Sequence, residues 1–432
     1  MLSTLKATWG RNRRVIGNFF SLSVVQFANY MAPLITLPYL FRVLGPANYG
    51  LVELARVITV YFLMLTDYSF SLSATREVSV RRDDPQRISE IFSAVLVLRF
   101  LLVILSAVML AAAVLALPKL RADWPVYFLS FGHVIGMWLF PVWLFQGLER
   151  MRHIATLNVV AKTFVIAGIF VFIRGADDYL YVPLLQSSGA VFVGLAGLVM
   201  AIRGLGVRFH RPPLGALKRE FLDGWHLFIS KMATTMYTTS NTLILGLFTD
   251  YTFVGYYAAG DKIVRAVQGL QLPLSQAIFP HIGRLASQSR QAALAYAGRI
   301  AGIVSVVTLG MSAGLFLGAP YITRVVQGGP SQEGTAVIRI LSLLPFLIGL
   351  SNILGIQIMV NFGLQKALTR VLVAAGALNI LVALLLVVPL KHVGVATAAV
   401  ATEAFVTVAL FVAVRRSGLY GNRQGRAARY QC

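Results

Sequence analysis

The stretch FRVLGPANYGLVELAR (residues 41–56) joins two apolar runs through Gly45-Pro46 and carries Glu53 and Arg56 into the second. Such a turn suits a helical hairpin in lipid, because glycine accepts a left-handed backbone and proline opens a helix without needing its missing N–H. Working outward, apolar runs of roughly 20 residues recur from Asn18 to Val414, each long enough to cross a hydrocarbon core as a helix. Of the 432 residues 57% are hydrophobic and 12% charged, where a soluble domain carries about 25% charged. Backbone groups in hydrocarbon must be satisfied within the segment, so repeated apolar runs mean a helix bundle. The sequence reads as an all-α polytopic membrane protein.

Hydrophobic periodicity predicts about twelve transmembrane helices, over 18–41, 50–73, 88–117, 124–147, 154–173, 179–202, 224–248, 252–280, 293–318, 335–360, 366–389 and 393–414. With both termini on one side, 25 of the 38 Lys and Arg fall on that side, six on the other and seven inside spans. The positive-inside rule makes the basic side, and both the N- and C-termini, cytoplasmic. The expected organisation is a six-helix bundle over 1–202, a cytoplasmic inter-bundle loop over 203–223, a second six-helix bundle over 224–414, and a basic cytoplasmic tail over 415–432. That tail is placed on anionic membrane lipids. A weak internal repeat agrees: NYGLVELARVI (48–58) lies against FVGYYAAGDKIV (253–264), matching Gly50 to Gly255 and Ile58 to Ile263. Two parallel bundles of this kind place a cavity between them.

The same counts exclude several function classes. A net charge of +22 suggests nucleic-acid binding in a soluble protein, but its one-sided distribution here assigns it to the membrane, and no nucleic-acid partner is expected. The lone Cys432 leaves no disulfide or CxxC site. The six histidines are dispersed, and neither HExxH nor a Walker A motif is present. Asp83-Asp84 in RRDDPQR reads as a solvated loop in preference to a metal-binding pair. No cofactor, metal or catalytic residue is expected, and the chain reads as a transporter, not an enzyme.

The informative residues are charges in the wrong solvent. Inside spans lie Arg56, Arg99, Lys162, Lys231, Lys262, Arg265 and Arg339, against Glu53, Asp67, Asp261 and Glu403. Each costs at least about 2.5–3.5 kcal/mol at the bilayer centre unless it faces water or a partner. Glu53, Arg56, Val60, Leu63 and Asp67 share one helical face, as do Lys231, Thr235, Thr238 and Thr242, while Asp261, Arg265, Gln268 and Ser275 share another, and Gln26 and Asn29 another. Local readings stand beside this: Glu53–Arg56 and Asp261–Arg265 have the spacing of helix-steadying ion pairs, Lys231 and Arg339 can snorkel, and threonine hydroxyls often bond the carbonyl four residues back. Arg99 and Lys162 lie deepest and have no local partner in sequence. The cationic excess suits an anionic, polyhydroxylated solute such as a sugar on a phosphate or pyrophosphate. Arg56, Arg99, Lys162, Lys231, Lys262 and Arg265 are the substrate-binding candidates, and Asn29, Thr235, Thr238, Thr242 and Gln268 the sugar-contact candidates. Glu53, Asp67, Asp261 and Glu403 are candidates for a gate or for coupling to H⁺ or Na⁺.

The segments LPYLFRVLGPANYG (37–50) and TDYSFSLSATREVSVRRDDPQRISEIF (66–92), with WLFQGLERM (143–151) and GYYAAGDKI (255–263), resemble the polysaccharide transporter family. These are the Wzx-type flippases of the multidrug/oligosaccharidyl-lipid/polysaccharide exporter (MOP) superfamily, to which the MATE transporters also belong. The resemblance implies two six-helix bundles that flip an undecaprenyl-pyrophosphate-linked oligosaccharide from the cytoplasmic to the periplasmic leaflet of the bacterial inner membrane. It serves O-antigen, capsule or exopolysaccharide synthesis, alongside polymerase and assembly proteins. The alternative within the superfamily is a MATE-like exporter of drugs or small cations, whose cavity would be acidic.

Overall fold

In this computed structural model residues 2–419 are described; the side chains of residues 2–30, 32, 223, 226, 227, 230, 231, 233, 234 and 236–238 lie outside the description. The first helix, α1 (Leu2–Asp67), runs through Pro33 and Pro38 and breaks at Gly45, where φ is 74° and ψ 167°. Only glycine takes that backbone at little cost, and Pro46 then opens the second arm. The break at Gly45-Pro46 is the turn expected from the sequence.

Tyr68 and Ser69, both left-handed at φ 43° and 64°, turn the chain into α2 (Phe70–Val80). Asp84 caps α3 (Pro85–Ala116), its carboxylate accepting the Arg87 backbone N–H at 3.0 Å. A capping aspartate satisfies one of the orphan donors at the helix start, which accounts for this acidic residue structurally. Then follow α4 (Pro118–Ala122), α5 (Trp124–Leu139), α6 (Val142–Gly147), α7 (Met151–Phe172) and α8 (Tyr181–Val199). The second half holds α9 (Leu214–Phe248), α10 (Tyr251–Gly269), α11 (Leu272–Gln288), α12 (Arg290–Gln327), α13 (Gln332–Leu341) and α14 (Leu344–Asn352). A π-helical segment (Ile353–Val360) and α15 (Gln365–Arg416) complete it, α15 breaking at Lys391 (φ 49°, ψ −127°). No strand occurs among the described residues.

Eight segments among the described residues are long and apolar enough to cross a membrane, the first and last of them containing the breaks at Gly45 and Lys391. The protein is multi-pass. The span expected over 252–280 is divided, because α10 ends at Gly269 and α11 starts at Leu272. The chain forms two compact units, Met1–Thr235 with Asp250–Gly255, and Met236–Thr249 with Tyr256–Cys432.

Lipid tails are as apolar as leucine, so helices in a bilayer associate through close packing and polar contacts more than through hydrophobic burial. In the first unit α5 and α8 meet along small residues. Gly132 and Gly136, spaced as GxxxG, face Ser187 and the Ala190–Val191 backbone, and the Ser187 hydroxyl donates to the Leu129 carbonyl at 2.5 Å. A Cβ on Gly136 would sit 2.5 Å from the Val191 nitrogen, with backbone on the opposing side and no room to yield. Gly136→Leu is therefore expected to destabilise the first unit by about 2 kcal/mol or more, read as a lowered melting temperature in detergent, while the exposed Leu115→Ala leaves it unchanged.

Candidate functional site

The second unit carries an open cavity of about 300 Å³ between α9, α10, α14 and α15. On α10 the 3–4 spacing brings Asp261, Arg265 and Gln268 to its wall, and Arg265 Nε donates to Asp261 Oδ2 at 2.6 Å. Facing them on α15 is the buried Glu403, which accepts the Ser351 hydroxyl at 2.6 Å. Asn241, Asn352 and Asn379 add amides. Asn379 is held in a relay: its Oδ1 accepts the Ser240 hydroxyl at 3.0 Å and its Nδ2 donates to Thr402 Oγ1 at 3.2 Å. Two polar atoms on this wall have no hydrogen-bond partner among the described residues, the buried acceptor Asn241 Oδ1 and the donor Gln268 Nε2. Unmatched buried polar atoms cost about 1–3 kcal/mol each, so a cavity that leaves a donor and an acceptor open is suited to a polar ligand. Beside it the Ile353–Val360 π segment distorts the helix that carries Asn352, a feature that recurs at functional sites.

A family model described as "Polysaccharide biosynthesis protein" matches residues 15–286. The chain belongs to the polysaccharide biosynthesis protein family. Over 402 residues it is 31% identical to an Escherichia coli (strain K12) protein named "Putative O-antigen transporter", covering 93% of this chain and 97% of that one. Among solved structures it is similar to the lipid II flippase MurJ in an inward closed conformation, with TM-score 0.70 and 12% identity over 93% of this chain and 87% of MurJ. It is also similar to an inward-facing MATE multidrug transporter of the MOP superfamily, with TM-score 0.61 and 14% identity over 91% of this chain and 99% of the other. At these identities the structural likeness is one of fold, and the fold is the MOP type.

Within this member of the polysaccharide biosynthesis family, the residues singled out by sequence separate into groups. Asp261, Arg265, Gln268 and Glu403 come together at the second-unit cavity. Thr242 is buried on α9 and Thr235 half-buried, neither lining that cavity, and Lys262 is half-buried on α10. In the first unit Glu53 and Arg56 pair at 2.7 Å, Lys162 is half-buried on α7, and Asp67 accepts the Ser71 hydroxyl at 2.9 Å. Arg339 lies 5.5 Å from the Phe316 ring centroid. Asn29, Lys231 and Thr238 lie outside the described side chains.

Arg99 has a partner that sequence could not reveal. Its guanidinium is buried on α3 and Nη2 donates to the Met137 carbonyl at 2.7 Å. In a continuing helix that carbonyl would accept from residue 141, which is a proline without an N–H. Arg99 thus closes the bond that Pro141 leaves open at the end of α5. The cavity amides Asn241, Asn352 and Asn379 and the hydroxyl of Ser351 were missed because single neutral polar residues in apolar runs carry no periodic signal; an isolated asparagine within a span was the one clue. Arg99→Leu is expected to lower the folded fraction, by about 1–3 kcal/mol from the orphaned carbonyl, with transport per folded molecule kept. Arg265→Leu is expected to do the reverse, which parallel melting and transport measurements on both variants would distinguish.

Proposed function

We propose that this protein is a secondary transporter that flips a lipid-linked oligosaccharide, an undecaprenyl-pyrophosphate-linked repeat unit, from the cytoplasmic to the periplasmic leaflet of the inner membrane by alternating access. Family membership and the E. coli relative's name support the substrate class, and the MurJ- and MATE-like fold supports the mode of transport.

One observation carries the reading. In two ion pairs among the described residues, on helices the sequence reads as spans, the carboxylate is the hidden member and the guanidinium the accessible one, with side-chain exposure of 4% against 42% for Glu53 and Arg56 and 16% against 49% for Asp261 and Arg265. Each acid thereby holds its arginine in place with the guanidinium as the accessible member, and a positioned guanidinium is the group that recognises phosphate oxygens. The unspent donor and acceptor of Gln268 and Asn241 suit sugar hydroxyls. Lys162 and Lys262 add positive charge, and both termini are assigned to the cytoplasm.

The second reading, a MATE-like exporter of cations, draws on the cavity's two carboxylates against one guanidinium. In the flippase reading Glu403 and Asp261 instead serve the coupling ion, H⁺ or Na⁺. Cells lacking the protein are expected to accumulate a complete, unpolymerised lipid-linked unit on the cytoplasmic leaflet, seen by lipid extraction with a leaflet assay. An unchanged lipid pool together with raised sensitivity to cationic drugs would favour the exporter, and accumulation on the periplasmic leaflet would place the protein after the flip. In proteoliposomes, Glu403→Gln is expected to abolish acceleration of flipping by an imposed ion gradient while lipid-linked substrate still binds.

A further inference from the structure

The segment that joins α8 to α9 is tied to the flank of α3. Val207 is buried in the first unit's core, and the residues after it run along α3. The Arg208 backbone N–H donates to the Ser89 hydroxyl at 3.2 Å and the His210 N–H to the Ser93 hydroxyl at 2.9 Å. Four helical residues rise about 6 Å and two extended residues advance about 6.6 Å, so alternate linker N–H groups stay in step with the two serines. Each hydroxyl serves twice, because it also donates to the carbonyl four residues back, Ser89 to Pro85 at 2.8 Å and Ser93 to Ser89 at 2.7 Å. These two buried serines give the linker a fixed track.

Between that track and the first turns of α3 and α9 lies an open cavity of about 420 Å³, wholly within the first unit and of the size of small-ligand sites. Three arginines line it. Arg87 is held by Glu90 at 2.7 Å and Glu77 at 3.4 Å, and Arg219 lies 4.0 Å from the buried Glu220. The Arg87 Nε is a buried donor with no hydrogen-bond partner among the described residues, and Arg211 has neither hydrogen bond nor ion pair among them. Three guanidiniums against two carboxylates, Glu90 and Glu220, leave one positive charge in excess. A single phosphodiester complements that charge, and its oxygens match the guanidinium donors.

The wall of the cavity continues into apolar surface. Gln86, Glu90 and Ala94 lie on the face of α3 that carries Leu101, Leu105 and Val108 further along, all three exposed. The linker and α9 present Phe209, Leu214 and Trp225 as exposed apolar side chains close in sequence to Arg208, Arg211 and Arg219. Aromatic and basic groups pair in this way where a protein meets lipid headgroups. A soluble phosphate compound would leave these apolar surfaces bare, whereas acyl chains would cover them. We propose that the cavity binds the headgroup of an anionic phospholipid with one phosphodiester, with Arg211 and Arg219 on the phosphate and the acyl chains along the exposed face of α3. The lipid comes from the cytoplasmic leaflet, an assignment that rests on the placement of the basic side given above. Bound there, it fastens the linker from outside as Ser89 and Ser93 fasten it from within.

The test uses the full-length protein, purified in detergent and stripped of lipid, with native mass spectrometry reading what binds. The probes are phosphatidylglycerol, phosphatidylethanolamine and soluble glycerol 1-phosphate. Phosphatidylglycerol is expected to bind in preference to the other two. Arg211→Gln combined with Arg219→Gln is expected to weaken it about thirtyfold, which is about 1 kcal/mol for each arginine. Phe209→Ser is expected to weaken it by a smaller factor and to leave glycerol 1-phosphate unaffected. The control is Arg415→Gln combined with Arg416→Gln, exposed at the end of α15, which is expected to change nothing. Equal weakening by both arginine pairs would reduce the effect to net charge and overturn the site, as would no weakening by either. Glycerol 1-phosphate bound as tightly as the lipid would make the ligand a soluble phosphate compound, and equal binding of phosphatidylethanolamine would overturn the anionic headgroup. If the double variant at 211 and 219 is poorly folded, unchanged lipid binding in Arg211→Gln alone overturns the proposal, since that side chain has no partner to lose. No transported substrate enters the assay, so a wrong substrate class leaves these results as they stand and shows only in the lipid analysis of cells.

Discussion

A helix that breaks inside hydrocarbon leaves carbonyls with no water to receive them, and much of this structure follows from how that debt is met. At the α5–α6 break Arg99 reaches from α3 to the Met137 carbonyl that Pro141 cannot serve. At the end of α7 the Tyr39 hydroxyl donates to the Ile173 carbonyl at 2.6 Å, and Asn48 donates to the Ala176 carbonyl at 2.8 Å. Beyond the end of α15, Arg290 Nε donates to the Leu419 carbonyl at 2.9 Å and Nη2 to that of Gly418. Each bond joins separate stretches of chain at the point where one is irregular. They are structural uses of side chains that, in a bare sequence, look like ligands.

This constraint sorts the polar residues of the spans into two kinds. Some donate to backbone carbonyls, like Arg99 and Tyr39. Others face each other across the second-unit cavity, where Asn241 and Gln268 keep open hydrogen-bonding atoms beside the Asp261–Arg265 pair and Glu403. Composition and hydropathy made the helical class legible, because an apolar run of span length has few alternatives. The Gly45-Pro46 turn was legible because both residues have narrow backbone preferences that agree. The α10 stripe was legible through its 3–4 spacing, which sets Asp261, Arg265 and Gln268 on one wall, whereas Ser275, expected on the same face, falls on α11.

What could not be read was set by contacts distant in sequence. The bond from Arg99 depends on a proline 42 residues later, and no pattern local to either residue announces it. Ser351 and Glu403 meet across 52 residues, and Ser240 and Asn379 across 139. The division at Leu270-Gln271 carries local marks, Gly269 before it and Pro273 after it, that the span-length hydropathy on either side outweighed.

The balance of charge in the second-unit cavity bears on the kind of solute the fold can take. Counted alone, two carboxylates against one guanidinium suit a cation. Count and access differ, however. The Asp261 carboxylate is turned into the protein and committed to Arg265, and the Glu403 carboxylate is buried and engaged by Ser351. A solute at that wall meets the guanidinium, with its side chain 49% exposed, before the Asp261 carboxylate at 16%. The same logic applies to Glu53 and Arg56 in the first unit, where the acid is again the deeper partner. Two arginines, each tethered to a hidden carboxylate one helical turn away, are thus the accessible members of their pairs, so a count of charges alone misstates what these helix faces present to a solute.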